Sequence, residues 1–158
     1  MQKHFNKLFL LLFVLVAITS TVMAQYKAQP SLYKRLGGYD AIAAVVDDFV
    51  PRLVADPVLG KFFAGHGINS RKHLRQLVVE KVCEATGGPC FYTGRTMKEA
   101  HDGLGVTEEQ WNTSTTHLVE TLDKLQVPKK EQEELLAVIT SLKGDIVATA
   151  TPAGEMKK

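Results

Sequence analysis

Residues 87–106 read GGPCFYTGRTMKEAHDGLGV. Gly87, Gly88 and Pro89 end whatever helix comes before them. A loop over Cys90 to Gly94 leads to Thr96, an N-cap for a short piece that closes at His101. Gly103 and Gly105 then stop that piece from lengthening. A histidine at the end of so short a helix has two readings. Its charge suits the C-terminal end of the helix dipole and asks for no ligand. It is also a common metal ligand. Met97 lies four residues before it and shares its face, and the glycines let backbone and a bulky partner come close.

Working outward, the rest of the chain reads as helices. Ser31 caps a short candidate over Leu32 to Leu36, ended by Gly37-Gly38. From Asp40, Ile42, Val45, Val46, Phe49, Val50 and Leu53 recur at helical spacing, with Pro51 predicting a kink late in the segment. Asp56-Pro57 opens a further turn that ends in Lys61-Phe62-Phe63-Ala64-Gly65. The next helix is expected over Ser70 to Ala85, capped by Asn69 or Ser70, with Leu74, Leu77, Val78, Val82 and Ala85 inward. Thr107 and Gln110 make a capping box for a long helix whose inner face is Trp111, Thr115, Leu118, Leu122 and Leu125. Pro128 opens the last helix, with Leu135, Ile139, Leu142 and Ile146 inward. Alternating strand patterns are missing, so the fold class is all-α.

The first 24 residues carry a basic start (Lys3, Lys7), an apolar run over residues 8–18 and Val22-Met23-Ala24 before Gln25. This is the layout of a secretory signal peptide; the apolar run is short for a membrane span. An uncleaved anchor is the other reading. Cleavage predicts a leader over 25–30, a domain over 31–149, a polar tail over 150–158, and no membrane span in the mature chain. It also predicts export, with the periplasm as destination. Of 19 basic residues two, Lys3 and Lys7, lie in the first 24, leaving 17 against 17 acidic ones. That near-neutral balance lacks the basic footprint of a nucleic-acid binder. Export would let a Cys83–Cys90 disulfide persist, but spacing alone leaves bridge and free thiols equally open.

No zinc, calcium or phosphate-binding motif occurs, and no nucleophile elbow. A lone histidine is sufficient for iron only when a macrocycle holds the metal, as haem does with one proximal His and an apolar slot. Phe63, Leu74, Val78, Val82, Met97, Val106, Trp111 and Leu118 are material for such a slot, or simply a helical core. His66 falls in a glycine-flanked loop. His73 and His117 sit off the apolar stripes and read as ordinary polar positions.

Four blocks, in order, resemble one family. LYKRLGG (32–38), DDFVPRLVADPVLGKFFAG (47–65), GGPCFYTGRTMKEAHDGLGV (87–106) and LDKLQVPKKEQEELLAVI (122–139) are similar to group 1 truncated haemoglobins. The resemblance runs from about Ser31 to Val147 and implies a two-over-two helical sandwich around a haem. It implies His101 as the iron ligand and Phe63 packed on the porphyrin. Met97, Val106, Trp111 and Leu118 would line the proximal and inner wall, and Leu74, Val78 and Val82 the distal side. The partners implied are a diatomic ligand (dioxygen, CO or NO) and, for redox turnover, an electron donor. A haem-dependent NO dioxygenase or peroxidase-like activity and a haem carrier are the alternatives. The chain departs from the family where a ligand hydrogen-bond donor is usual. Val50, Leu74, Leu77 and Val78 stand there, which implies an apolar distal pocket and weak retention of dioxygen. A one-residue slip in register would instead bring in Gln76 or Lys81.

Overall fold

A computed structural model describes residues 29–148 apart from residue 66. The signal peptide expected over 1–24, the leader up to residue 28, the reading of His66 and the tail over 150–158 lie outside the described residues. From Ser31 the chain builds α1 (Leu32–Arg35), α2 (Gly38–Ala55), a 3-10 turn (Gly60–Phe63), α3 (Ile68–Ala85), α4 (Met97–His101), α5 (Glu108–Lys124), α6 (Lys129–Thr140) and α7 (Lys143–Ile146). Among the described residues there is no strand.

The apolar stripes assemble two layers. α2 lies on α3 through Ile42, Ala43, Val46, Val50, Val79 and Cys83. α5 lies with α1 and α6 through Leu32, Leu118, Leu122 and Leu135. Leu122 is wholly buried, worth about 1.5–3 kcal/mol relative to an exposed leucine. Phe49 and Val82 pack against both sets and so join the layers. At the edge of the α2–α5 contact, Asp48 accepts from Arg52 (2.8 Å) and Thr121 (3.1 Å) and pairs with Lys124. Those bonds, Lys124 and Arg52 foremost, hold its carboxyl down at about 2.

Several boundaries differ from the sequence reading. α3 begins at Ile68, two residues early, because Gly67 in an extended conformation serves as its N-cap. α2 carries Pro51 inside it and ends at Ala55, in line with an apolar stripe that runs past that proline to Leu53. The last helix is not continuous. It breaks at Ser141–Leu142, where the Ser141 hydroxyl donates to the Val138 carbonyl (2.6 Å) and competes with the helical ladder. The short α7 beyond the break packs on α4. Ala85 and Leu125, expected inward, are exposed.

The end of α3 is stitched closely. The Thr86 hydroxyl donates to Val82 O (2.7 Å), Gly87 N–H to Glu84 O and Gly88 N–H to Cys83 O. Gly87 has φ +81°, a left-handed conformation natural to glycine. At Gly88 a Cβ would lie 2.5 Å from the Tyr33 ring and 2.6 Å from the Cys83 sulfur, so no other residue fits. Cys83 and Cys90, left open by spacing, are joined: the disulfide spans Cα atoms 5.8 Å apart. Closing so short a loop restricts the unfolded chain by about 2–3 kcal/mol. Reduction should therefore lower the urea-unfolding free energy by about that amount, read as a lower midpoint in reduced than in oxidised protein. Coincident midpoints would show that the bridge contributes nothing.

Candidate functional site

His101 ends α4, which is only five residues long. Such a helix has little stability of its own, and the sequence supplies the ends. Thr96 accepts from Glu99 N–H (3.2 Å) while the Glu99 carboxylate accepts from Thr96 N–H (3.0 Å), a reciprocal capping box. Thr96 was legible as a cap, though its partner Glu99 was not singled out. The loop before it is tied to α3: Tyr92 N–H donates to Glu84 (3.2 Å) and the Thr93 hydroxyl to Glu80 (3.1 Å). Those bonds contribute to holding both carboxyls below their ordinary range, the Tyr92 N–H foremost at Glu84 and the Gln76 amide foremost at Glu80. On the far side, Ala148 N–H donates to Val106 O (2.8 Å), closing the C-terminal turn over the segment.

The imidazole of His101 is half-buried, and its Nδ1 lies 2.8 Å from the Met97 carbonyl oxygen. A carbonyl only accepts, so Nδ1 carries the hydrogen and Nε2 keeps its lone pair. A bond of this kind fixes the tautomer of a histidine and the aim of its other nitrogen. Among the described residues no three His, Cys, Asp or Glu gather to hold a metal. The single nitrogen that His101 offers fits a haem, which asks one nitrogen of the protein.

The expected haem-lining residues divide into groups. Val78, Val82 and Leu118 line a cavity of about 370 Å³ between the layers, together with Val45, Phe49, Ser114, Thr115 and Ile139. Phe63, Leu74, Met97, His101, Val106 and Trp111 do not border it. Val106 and Trp111 are buried; Phe63, Leu74 and Met97 are half-buried apolar side chains. Val50 packs in the α2–α3 core and borders a separate groove with Pro51, Val54 and Ile68. Ser114 was missed by sequence reading, although it lies four residues before Leu118 and so shares its face. Its hydroxyl and that of Thr115 both donate to the Trp111 carbonyl, at 2.8 and 3.0 Å.

The two polar residues that a register slip would turn inward are held elsewhere. The Gln76 amide bonds to Tyr39 (3.1 Å) and Glu80 (3.0 Å). Lys81 pairs with Glu84 (3.2 Å) and sits 4.9 Å from the centre of the Tyr92 ring. His73 is exposed, as expected. His117 is more engaged than expected. Its Nε2 lies 2.8 Å from the Asp56 carboxylate, across from α5 to the end of α2.

The model of the bacterial-like globin family matches residues 31–148. A group 1 truncated haemoglobin, GlbN of Mycolicibacterium paratuberculosis, is 37% identical over 127 residues, covering 79% of this chain and 91% of that protein. The crystal structure of truncated haemoglobin from Tetrahymena pyriformis, Fe(III) form, superimposes with a TM-score of 0.70 at 27% identity, covering 76% of this chain and 100% of that one. A Synechococcus 2/2 haemoglobin, solved in the cyanomet state with covalently attached haem, gives a TM-score of 0.67 at 27% identity, over 75% and 98% of the two chains.

Proposed function

The chain belongs to the bacterial-like globins, as a group 1 truncated haemoglobin, and on that premise we propose that it binds a diatomic gas at a haem iron ligated by His101. Haem, when bound, supplies iron that takes such ligands and undergoes redox change; this chain would supply the ligating nitrogen, from His101, and the polarity of the pocket. The observation that carries the reading is the Nδ1–H of His101 donating to the Met97 carbonyl. It leaves Nε2 as the one ring nitrogen with a lone pair to give. Phe63, Leu74 and Met97 support it as half-buried apolar side chains that a flat apolar group would cover.

On the side opposite His101 the reading is an apolar pocket. Gln76 and Lys81 are engaged on other partners, and Leu74, Leu77 and Val78 are apolar. Bound dioxygen carries partial negative charge, and a donor to such a group is worth about 1.5–3 kcal/mol. A pocket without one holds dioxygen weakly and discriminates little against CO or NO. Export rests on the residue 1–24 pattern, and the Cys83–Cys90 bridge is at home in an oxidising compartment.

Three outcomes follow. The haem-loaded protein gives a Soret band that shifts or is lost in His101→Gly, and added imidazole restores it; an unchanged band in that variant would reassign the ligand. Val78→Gln, placing an amide donor at the cavity wall, slows dioxygen release about 10- to 100-fold. Wild type with release already that slow would show that a donor is in place. Protein recovered from its native cells begins at Gln25; an intact Met1 would favour the anchor.

A further inference from the structure

We propose that His117 is a positioning residue for the haem seat: from α5 it holds Asp56, whose side chain caps the turn that leads into Phe62–Phe63. The inference rests on the haem-binding reading above, with Phe63 against the haem.

The geometry divides the Asp56 carboxylate between two tasks. Oδ1 accepts the N–H groups of Val58 (2.8 Å) and Leu59 (2.9 Å), which fixes the first turn after α2. Oδ2 faces His117 Nε2 at 2.8 Å, and a carboxylate oxygen there takes the hydrogen bond that the ring donates. The Asp56 backbone belongs to the same corner: its N–H donates to Arg52 O (3.0 Å) and its carbonyl accepts from Gly60 N–H (2.8 Å). Gly60 starts the 3-10 turn carrying Phe62 and Phe63. A Cβ on it would lie 2.8 Å from Val54 O, so the turn is pressed onto α2 with no slack. Phe63 therefore inherits its place from Asp56, and Asp56 is pinned from a helix 61 positions away in sequence. Both side chains are mostly buried, His117 at 21% and Asp56 at 11% exposure, so water replaces this bond poorly.

The charges around the pair are few. Glu120 lies 3.6 Å from His117 Nδ1 and 3.0 Å from Arg52. Arg52 also holds Asp48, which pairs with Lys124. Nδ1 of His117 is buried without a hydrogen bond, so the ring's firm attachment is the one to Asp56. The His117 bond, then the N–H groups of Leu59 and Val58, hold the Asp56 carboxyl below its ordinary range. A lowered value means that the anchor is complete above the ordinary carboxylate range and is lost as pH falls through the lowered one. Removing His117 moves that loss to higher pH.

The test uses haem-loaded, full-length wild type, His117→Ala, His117→Gln and Asp56→Asn. Transfer of haem to an excess of a scavenging apoprotein is timed from neutral pH down through and below the ordinary carboxylate range, with the Soret band and the thermal midpoint recorded alongside. The expected result is about tenfold faster haem loss in His117→Ala, an acid limb displaced to higher pH, and an unshifted Soret band because His101 still ligates. His117→Gln, which can donate an amide N–H to Asp56, recovers most of the wild-type rate. Asp56→Asn loses haem fast and lacks the acid limb. Should His117→Ala fail to fold, the Gln and Asn variants carry the same comparison. Wild-type haem loss in His117→Ala, or faster loss that only follows a lower thermal midpoint with the acid limb unmoved, overturns the assignment. A wild type that takes up no haem, or a Soret band indifferent to His101→Gly, overturns the haem reading instead.

Discussion

A helix of five residues cannot hold a side chain in place by itself, and the aim of His101 depends on how the two ends of Met97–His101 are fixed. Upstream, the capping box of Thr96 and Glu99 closes the first turn, and Glu80 and Glu84 hold the loop before it to α3. The Cys83–Cys90 bridge anchors the start of that loop to a buried position in the α2–α3 core. Downstream, α7 packs on α4 and Ala148 bonds to Val106. Within this frame one short bond, from His101 Nδ1 to the Met97 carbonyl, decides which nitrogen is offered. Everything chemical in the account follows from that choice of tautomer.

The two helical layers supply what a single ligand cannot. Phe49 and Val82 join them, and the cavity between them carries an apolar wall relieved by the hydroxyls of Ser114 and Thr115. Those hydroxyls are turned to the Trp111 carbonyl, so their hydrogens are already in use. The polar chemistry of this protein lies instead at the layer edges. Asp48 with Arg52, Thr121 and Lys124, and Asp56 with His117, bind α2 to α5 from outside the core. A fold that keeps its charged bonds at the rim can leave its interior to an apolar, ligand-binding group.

Much of this was legible in the sequence, and the exceptions have physical reasons. Local rules did well where one turn determines the outcome: Ser31, Thr96 and Thr107 all cap helices as read, and the Gly87-Gly88 stop stands. The apolar stripes of α2 and α5 mark the core, since periodicity follows directly from the helix. Local rules failed where the decisive partner is distant or the signal weak. The break at Ser141–Leu142 has no glycine or proline to announce it. Whether Cys83 and Cys90 meet depends on how the Pro89 loop turns, which spacing does not encode. His117 looked like an ordinary polar residue because Asp56 lies in another helix's corner. Leu125 fits the stripe of α5 yet is 39% exposed, because the helix ends at Lys124 and the chain turns away there. Even the reading of His101 turns on context: its own residues favour a dipole-matched helix end, and it is the ordered blocks around it that support the proposal of a ligand.

The measurement that bears most directly on the central claim is a long-range proton–nitrogen NMR spectrum of the histidines in the diamagnetic, ferrous, CO-bound protein. His101 is expected to carry its hydrogen on Nδ1 and to show an Nε2 resonance displaced by the metal, while the nitrogens of His73 and His117 carry no such displacement. A hydrogen on His101 Nε2, or a metal-displaced nitrogen on another histidine, would contradict it.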